Sequence, residues 1–271
     1  MSRPIVLLTD YGSDEFYAGV TRAVLAASSP ASRVVDLTHD VPAHDVARAS
    51  FILARAFDYL PANAVVVVVV DPGVGTARRG IVIEIGDRAL IGPDNGFASD
   101  VLVTRAPARF FVIDDAATHA ATGSRARGST FHGRDVFAPV AAAIARGARA
   151  LDLGVESDRA VMLRDVPSAS IDGRRVTGVG RHVDRFGNIL SDIPGALLRQ
   201  VFGPDLAAVR VRAGDVDAGG LRDTYAEGEA GVLIALLNSW DLVEVAIREG
   251  RACDVLGAAN PRDVRFELFE P

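Results

Sequence analysis

The sequence predicts an α/β chain: an N-terminal, mainly parallel sheet sandwiched by helices, followed by a smaller C-terminal domain that is β-rich and barrel-like. Three observations predict it. Strand-like and helix-like segments alternate through the first half, which is the pattern of parallel strands joined by crossover helices. Six consecutive valines at positions 65–70 suit a central strand covered on both faces. Beyond about residue 175 the alternation gives way to strand-length segments separated by glycine-containing turns, the signature of a small β domain.

Each element follows from its local pattern. Residues 5–8 read as the first strand and 16–27 as a helix; 33–37 is a strand again, and 45–60 a long amphipathic helix. After the valine strand, 81–85 and 89–91 read as a hairpin turning at Gly86-Asp87. Residues 110–113 form another strand, and 135–146 the last helix of the first core. The alanine-rich stretch 138–150 suits a helix packed closely on a sheet. Between 161 and 175, Pro167, Ser168, Ser170 and Asp172-Gly173 break the pattern and read as a linker. The expected domains are therefore 1–166 and 167–271. In the second, segments 176–182, 189–193, 207–211, 232–237 and 242–247 have strand length.

Composition narrows the function classes. The 271 residues are 24% charged and 49% hydrophobic, an ordinary soluble globular balance. With 29 basic against 35 acidic side chains, a net charge of -6 and no polybasic run, nucleic acid and anionic membranes are poor partners. One cysteine, Cys253, allows no intrachain disulfide and no thiolate-rich metal site, so a reducing cytoplasm is the default compartment. The apolar run at 5–8 is too short for a signal sequence, and the longest run, 64–70, falls far below the roughly 18 residues of a membrane span.

In an open parallel sheet, ligands bind beyond the carboxyl ends of the strands. Four polar clusters fall at such ends: residues 9–15 (TDYGSDE), 71–79 (DPGVGTARR), 92–96 (GPDNG) and 129–135 (STFHGRD). Each has a duller explanation. Asp10 and Asp14 suit helix caps, 94–96 a turn, and Asp135 an N-cap. Asp71 differs, because a carboxylate directly after six valines is costly unless a partner such as Arg78 satisfies it; a structural ion pair and a functional site are equally good readings of that residue alone. His132, before a glycine at an expected helix start, is placed to be held rigidly. Gly73-Val-Gly75 is no phosphate loop, since no Gly-Lys-Ser/Thr follows, and neither His-Glu-x-x-His nor Gly-x-Ser-x-Gly occurs. Residues 9–15 are similar to the calcium-binding aspartate motif of nucleoside hydrolases, but Leu8 stands where that motif has its first aspartate.

Six ordered motifs, beginning with residues 8–12 (LTDYG) and 70–79, then 92–96, 131–135 (FHGRD), 184–188 (DRFGN) and Asn238-Ser239, together resemble the S-adenosyl-L-methionine hydrolase (adenosine-forming) family. These enzymes are also called SAM hydroxide adenosyltransferases and are relatives of the fluorinase and chlorinase. The resemblance implies attack of water on the ribose 5′ carbon, release of adenosine and L-methionine, and no metal or other cofactor. It places water activation on Asp71, Arg78 and His132. The halogenases have tyrosine at the position of Asp71 and an inserted loop that is missing here. It also implies a substrate-binding set of Asp10 on the ribose hydroxyls, Asn188 on the adenine, and Tyr11, Asn95, Phe131, Asp184, Phe186, Ser239 and Ala246. Asp184 and Ser239 match positions near the methionine amine and carboxylate. Trp240 stands where the halogenases have a carboxylate-binding arginine, and Glu15 where an aspartate is usual. Family members are homotrimers with sites at subunit interfaces.

The residue types suit that chemistry. A sulfonium leaves as a neutral thioether and needs no general acid, so the difficulty lies in a weak water nucleophile that must be aligned and deprotonated. Two other classes stay open at the level of sequence: a non-catalytic adenosine or SAM sensor, and a metal-dependent nucleoside hydrolase, which would release adenine.

Overall fold

The structure is a computed structural model and describes residues 2–105, 107–123, 128–164 and 166–271. The chain divides into two compact units, residues 1–166 and 167–271. In the first, β1 (Ile5–Thr9), α1 (Phe16–Ser28), β2 (Val34–Thr38), α2 (Val46–Ala56) and β3 (Val65–Val69) follow in the expected alternation. Then come β4 (Gly80–Ile85), β5 (Arg88–Pro93), α3 (Ser99–Thr104), β6 (Arg109–Ile113), α4 (Asp115–Thr122), α5 (Ala138–Ala145) and β7 (Gly154–Ser157).

The seven strands form one sheet in the order β2-β1-β3-β5-β4-β6-β7. Strands β2, β1, β3 and β5 run parallel, whereas β4, β6 and β7 add antiparallel pairs. Because β5 rather than β4 pairs with β3, the chain leaving β3 must pass over the end of β5 to reach β4. That crossing places residues 70–79 along the carboxyl edge of the parallel strands. Alternation along the doubly covered β3 splits the core. Val65, Val67 and Val69 pack with α5 and Leu25 of α1, while Val66, Val68 and Val70 pack with Ala49 and Leu53 of α2 and with Phe97. Every residue of α5 is buried, which explains its alanine content: small side chains let it lie close to the sheet.

Two helices differ from the sequence reading. The helix expected over 45–60 stops at Ala56 and finishes in a 3₁₀ turn, Phe57–Tyr59. The helix expected from 135 opens instead as a π-helical turn, Gly133–Phe137, ahead of α5, a local widening that recurs at functional sites.

The second unit holds β8 (Ser170–Asp172), β9 (Arg175–Val183), β10 (Ile189–Pro194), α6 (Gly195–Phe202), β11 (Arg210–Ala213) and β12 (Val216–Arg222). It continues with β13 (Leu233–Leu237), β14 (Leu242–Ile247), α7 (Ala252–Val255) and β15 (Arg265–Phe269). The order β10-β14-β13-β12-β11-β15-β9, closed by pairing of β9 with β10, is a seven-stranded barrel with β8 appended to β9. Closure removes the free edges that a small open sheet exposes. The strand expected at 207–211 begins only at Arg210. The preceding residues turn, with Val209 N–H donating to the Leu206 carbonyl and Ala207 N–H to the Asp205 carboxylate.

Along β14, Val243, Val245 and Ile247 fill the barrel, while Ala246 joins Ile234 and Leu236 in a separate small cluster on the other face. Glu244 shares that outer face and is 2% exposed. Its carboxylate accepts from the Tyr225 hydroxyl at 2.7 Å and from the Asn238 amide at 2.9 Å. Burial pushes this carboxyl above the ordinary carboxylate range, against the pull of those two donors, and the nearby charge of Asp184 adds to the rise. A carboxyl whose folded-state pKa is raised contributes stability at low pH and loses it as pH rises through the folded value. Glu244→Gln should therefore gain stability relative to wild type as pH climbs from about 4 towards neutrality, whereas Glu244→Ala, which strands both donors, should cost about 1–3 kcal/mol. Thermal melts across that range check both; a Gln-minus-wild-type difference that stays flat with pH contradicts the account.

Candidate active site

The site in the first unit starts from connectivity. The chain runs from β1 outward to β2 and returns to β3 on the other side of β1, so the loops after β1 and β3 diverge and leave a crevice between them. Thr9 pairs with Val69 across these strands, and the next residues are Asp10 on one side and the Val70-Asp71 step on the other. Both carboxylates line a cavity of about 110 Å³, together with Tyr11, His44, Val69, Val74, Thr130, Phe131, His132 and Gly133. Three of the four polar clusters seen in the sequence thus reach one place. The fourth supports it from behind: the Asn95 side-chain amide donates to the Val70 carbonyl at 2.9 Å, and Asn95 does not line the cavity.

Asp71, Arg78 and His132 form one hydrogen-bonded set. The Arg78 guanidinium grips Asp71 with two donors, Nε to Oδ1 at 2.9 Å and Nη2 to Oδ2. The same Nη2 lies 2.7 Å from His132 Nδ1. Arginine only donates, so Nδ1 is the acceptor, and the neutral imidazole carries its proton on Nε2. The side chains of Asp71 and Arg78 are 6% and 13% exposed. The Phe137 ring, 5.3 Å from the guanidinium carbon, braces Arg78 from the π-helical turn.

Two glycines let the loops meet. Gly75 has φ +79°, and a Cβ there would come within 2.8 Å of the Ser129 carbonyl, so loop 71–79 packs against the His132 segment only without a side chain. At Gly133 a Cβ would overlap the Tyr11 hydroxyl. That hydroxyl is buried with no hydrogen-bond partner among the described residues, and burial pushes its pKa up. Thr21, whose hydroxyl donates to the Tyr17 carbonyl and can still accept, faces it. The Phe131 ring meets Tyr11 and Tyr17 edge-on at 5.7 and 5.3 Å, and exposed Phe16 stacks on Tyr17.

Residues 94–96 do form a turn and Asp71 does pair with Arg78, but the capping readings do not hold. Glu15 occupies the N-cap of α1 without a side-chain bond, so neither Asp10 nor Asp14 caps it. Asp135 instead accepts from Gly128 N–H and from Arg134. Sequence reasoning missed His44, which lines the cavity and whose N–H donates to Asp10 Oδ2 at 2.9 Å. Its one anomaly, φ +67° on a non-glycine residue, leaves no mark in the sequence.

In the second unit, residues 184–188 form a turn whose Arg185 and Gly187 carbonyls accept from the Arg251 guanidinium and from Cys253 N–H. Asp184 Oδ1 accepts from the N–H groups of Phe186 and Asn188, each at 2.9 Å, and Oδ2 accepts from the Asn188 amide at 3.0 Å. The turn thus uses both Asp184 oxygens to fix Asn188, and it leaves the Phe186 ring 74% exposed. Asn238 Oδ1 accepts from Trp240 and Leu242 N–H, shaping the bend that exposes Ser239 and Trp240, and Ala246 lies buried on β14.

Comparison with known proteins places the chain in a family. Residues 5–154 match the SAM hydroxide adenosyltransferase N-terminal domain, and residues 181–265 match the C-terminal domain of the same family. The chain is 39% identical to an (R)-S-adenosyl-L-methionine hydrolase of Thermus thermophilus over 97% of its own length and 99% of that protein's. It is 38% identical to one of Salinispora tropica, covering 93% of each. Among solved structures it is similar to an uncharacterized conserved protein from Thermotoga maritima, with a TM-score of 0.88 and 31% identity over 98% of this chain and all of the other. Two consecutive domain matches and relatives of nearly equal length leave one assignment: the chain belongs to the SAM hydroxide adenosyltransferase family.

Proposed function

We propose that this chain is an (R)-S-adenosyl-L-methionine hydrolase, converting its substrate and water to adenosine, L-methionine and a proton. The observation that carries the reading is that Asp71 and His132, joined through Arg78, line the cavity that Asp10 also lines, in a chain whose relatives carry that activity by name. Asp10 takes the ribose diol. The water then sits against Asp71, the O–C5′ bond forms as the C5′–S bond breaks, and the bonding pair passes to sulfur, which leaves as an uncharged thioether. The proton of the attacking water moves to Asp71, and Arg78 balances the carboxylate before that transfer. His132 orients rather than abstracts: its Nδ1 is committed to Arg78, and its Nε2 already carries a proton.

The second unit supplies the remaining contacts, with Asn188 on the adenine, Phe186 stacking, Ser239 near the methionine carboxylate, and Asp184 holding Asn188 in place. We place the enzyme in the cytoplasm as a homotrimer.

Removing a preorganised group that acts on developing charge typically costs about 10²–10³ in kcat. Asp71→Asn, Arg78→Ala and His132→Ala should each slow release of adenosine on that scale while adenosine still binds; chromatography distinguishes adenosine from the free adenine of a nucleoside hydrolase. Near wild-type turnover in all three folded variants refutes the assignment. Asp10→Ala should weaken adenosine binding by about tenfold or more, since charge-assisted bonds to a diol contribute about 1.5–3 kcal/mol each, and calorimetry reads it directly.

A further inference from the structure

We infer that His44 is a positioning residue for substrate binding, acting through its backbone on Asp10. The inference rests on the reading of Asp10 as the group that takes the ribose hydroxyls. His44 has φ +67°, a left-handed conformation that an L-residue with a side chain adopts at a cost. In that conformation its N–H donates to Asp10 Oδ2, at 2.9 Å. The segment around it is tied down on both sides. Gly12 N–H donates to the His39 carbonyl, Val41 N–H to the Thr9 carbonyl, and Ser13 binds the Asp40 carboxylate with both its N–H and its hydroxyl. Thr9 and His39 share a further hydrogen bond of 2.8 Å. Just beyond, Asp45 caps α2 by accepting from Arg48 N–H. The loops after β1 and β2 are thus sewn together, and the strained residue lies between the last stitch and the helix cap.

The geometry has a chemical use. Asp10 needs two acceptor directions free for a vicinal diol and must not rotate. One neutral N–H on Oδ2 restrains the carboxylate without neutralising its charge, as a lysine or arginine would. Strain in the backbone at residue 44 is the conformational cost of aiming that donor.

Backbone and side-chain roles separate by the choice of substitution. His44→Gly and His44→Asn keep the N–H and tolerate a positive φ, whereas His44→Val keeps the N–H but resists that conformation. In the full-length enzyme, His44→Val should raise KM for S-adenosyl-L-methionine about tenfold, with kcat within about twofold. The Gly and Asn variants should keep KM near the wild-type value, while the melting temperature should fall for Val and hold or rise for Gly, which relieves the strain. In an Asp10→Asn background, His44→Val should add little further loss of adenosine affinity. Equal KM values for the Val variant and wild type overturn the inference, and so does a Gly variant as impaired as Val, which would move the role to the imidazole. If Asp10→Asn alone leaves adenosine affinity unchanged, the ribose reading itself has failed; if that variant weakens binding while His44→Val does not, only this inference has.

Discussion

The ion pair between Asp71 and Arg78 is the constraint on which the first unit's site depends. β3 is buried on both faces, so its chain emerges at the sheet edge with little water to receive a charge, and the carboxylate that follows the valines requires a cation. Meeting that requirement from seven residues away folds loop 71–79 back on itself. Gly75 then allows the loop to lie against the Ser129 carbonyl, which carries Arg78 to within hydrogen-bonding distance of His132. One guanidinium thereby fixes a carboxylate, orients an imidazole and sets its tautomer. A lysine would hold the charge but not the planar, two-donor grip.

The two carboxylates of the cavity are held by different means, which suits different work. Asp71 is gripped by a cation and sits nearly dry. Asp10 is held by the neutral backbone N–H of His44. The parallel half of the sheet explains why they are neighbours: β1 and β3 pair in register, and the connection reverses direction between them.

The barrel uses its acidic residues differently again. Asp184 spends its oxygens on its own turn, and Glu244 spends its oxygens on Tyr225 and on Asn238, whose own carbonyl shapes the bend presenting Ser239 and Trp240. These carboxylates shape loops: they leave Phe186 and Ser239 exposed and hold the Asn188 amide buried against Asp184.

The sequence by itself determined the α/β first half, the barrel-like second half, the central valine strand, the hairpin at Gly86, and the loops in which Asp10, Asp71, Arg78 and His132 lie. These features are local: periodicity, turn residues and a carboxylate placed after an apolar run are all written along the chain. Short or non-periodic elements escaped, among them α3, α4, β7, β12 and β15, because few residues define them and tertiary pairing supplies their stability. Only the tertiary structure decided that Asn95 braces the Val70 carbonyl instead of lining the cavity, that the helix after His132 opens as a π turn, and that His44 holds Asp10. Each depends on which groups are brought face to face across the sheet edge, and on a backbone angle that packing enforces against local preference.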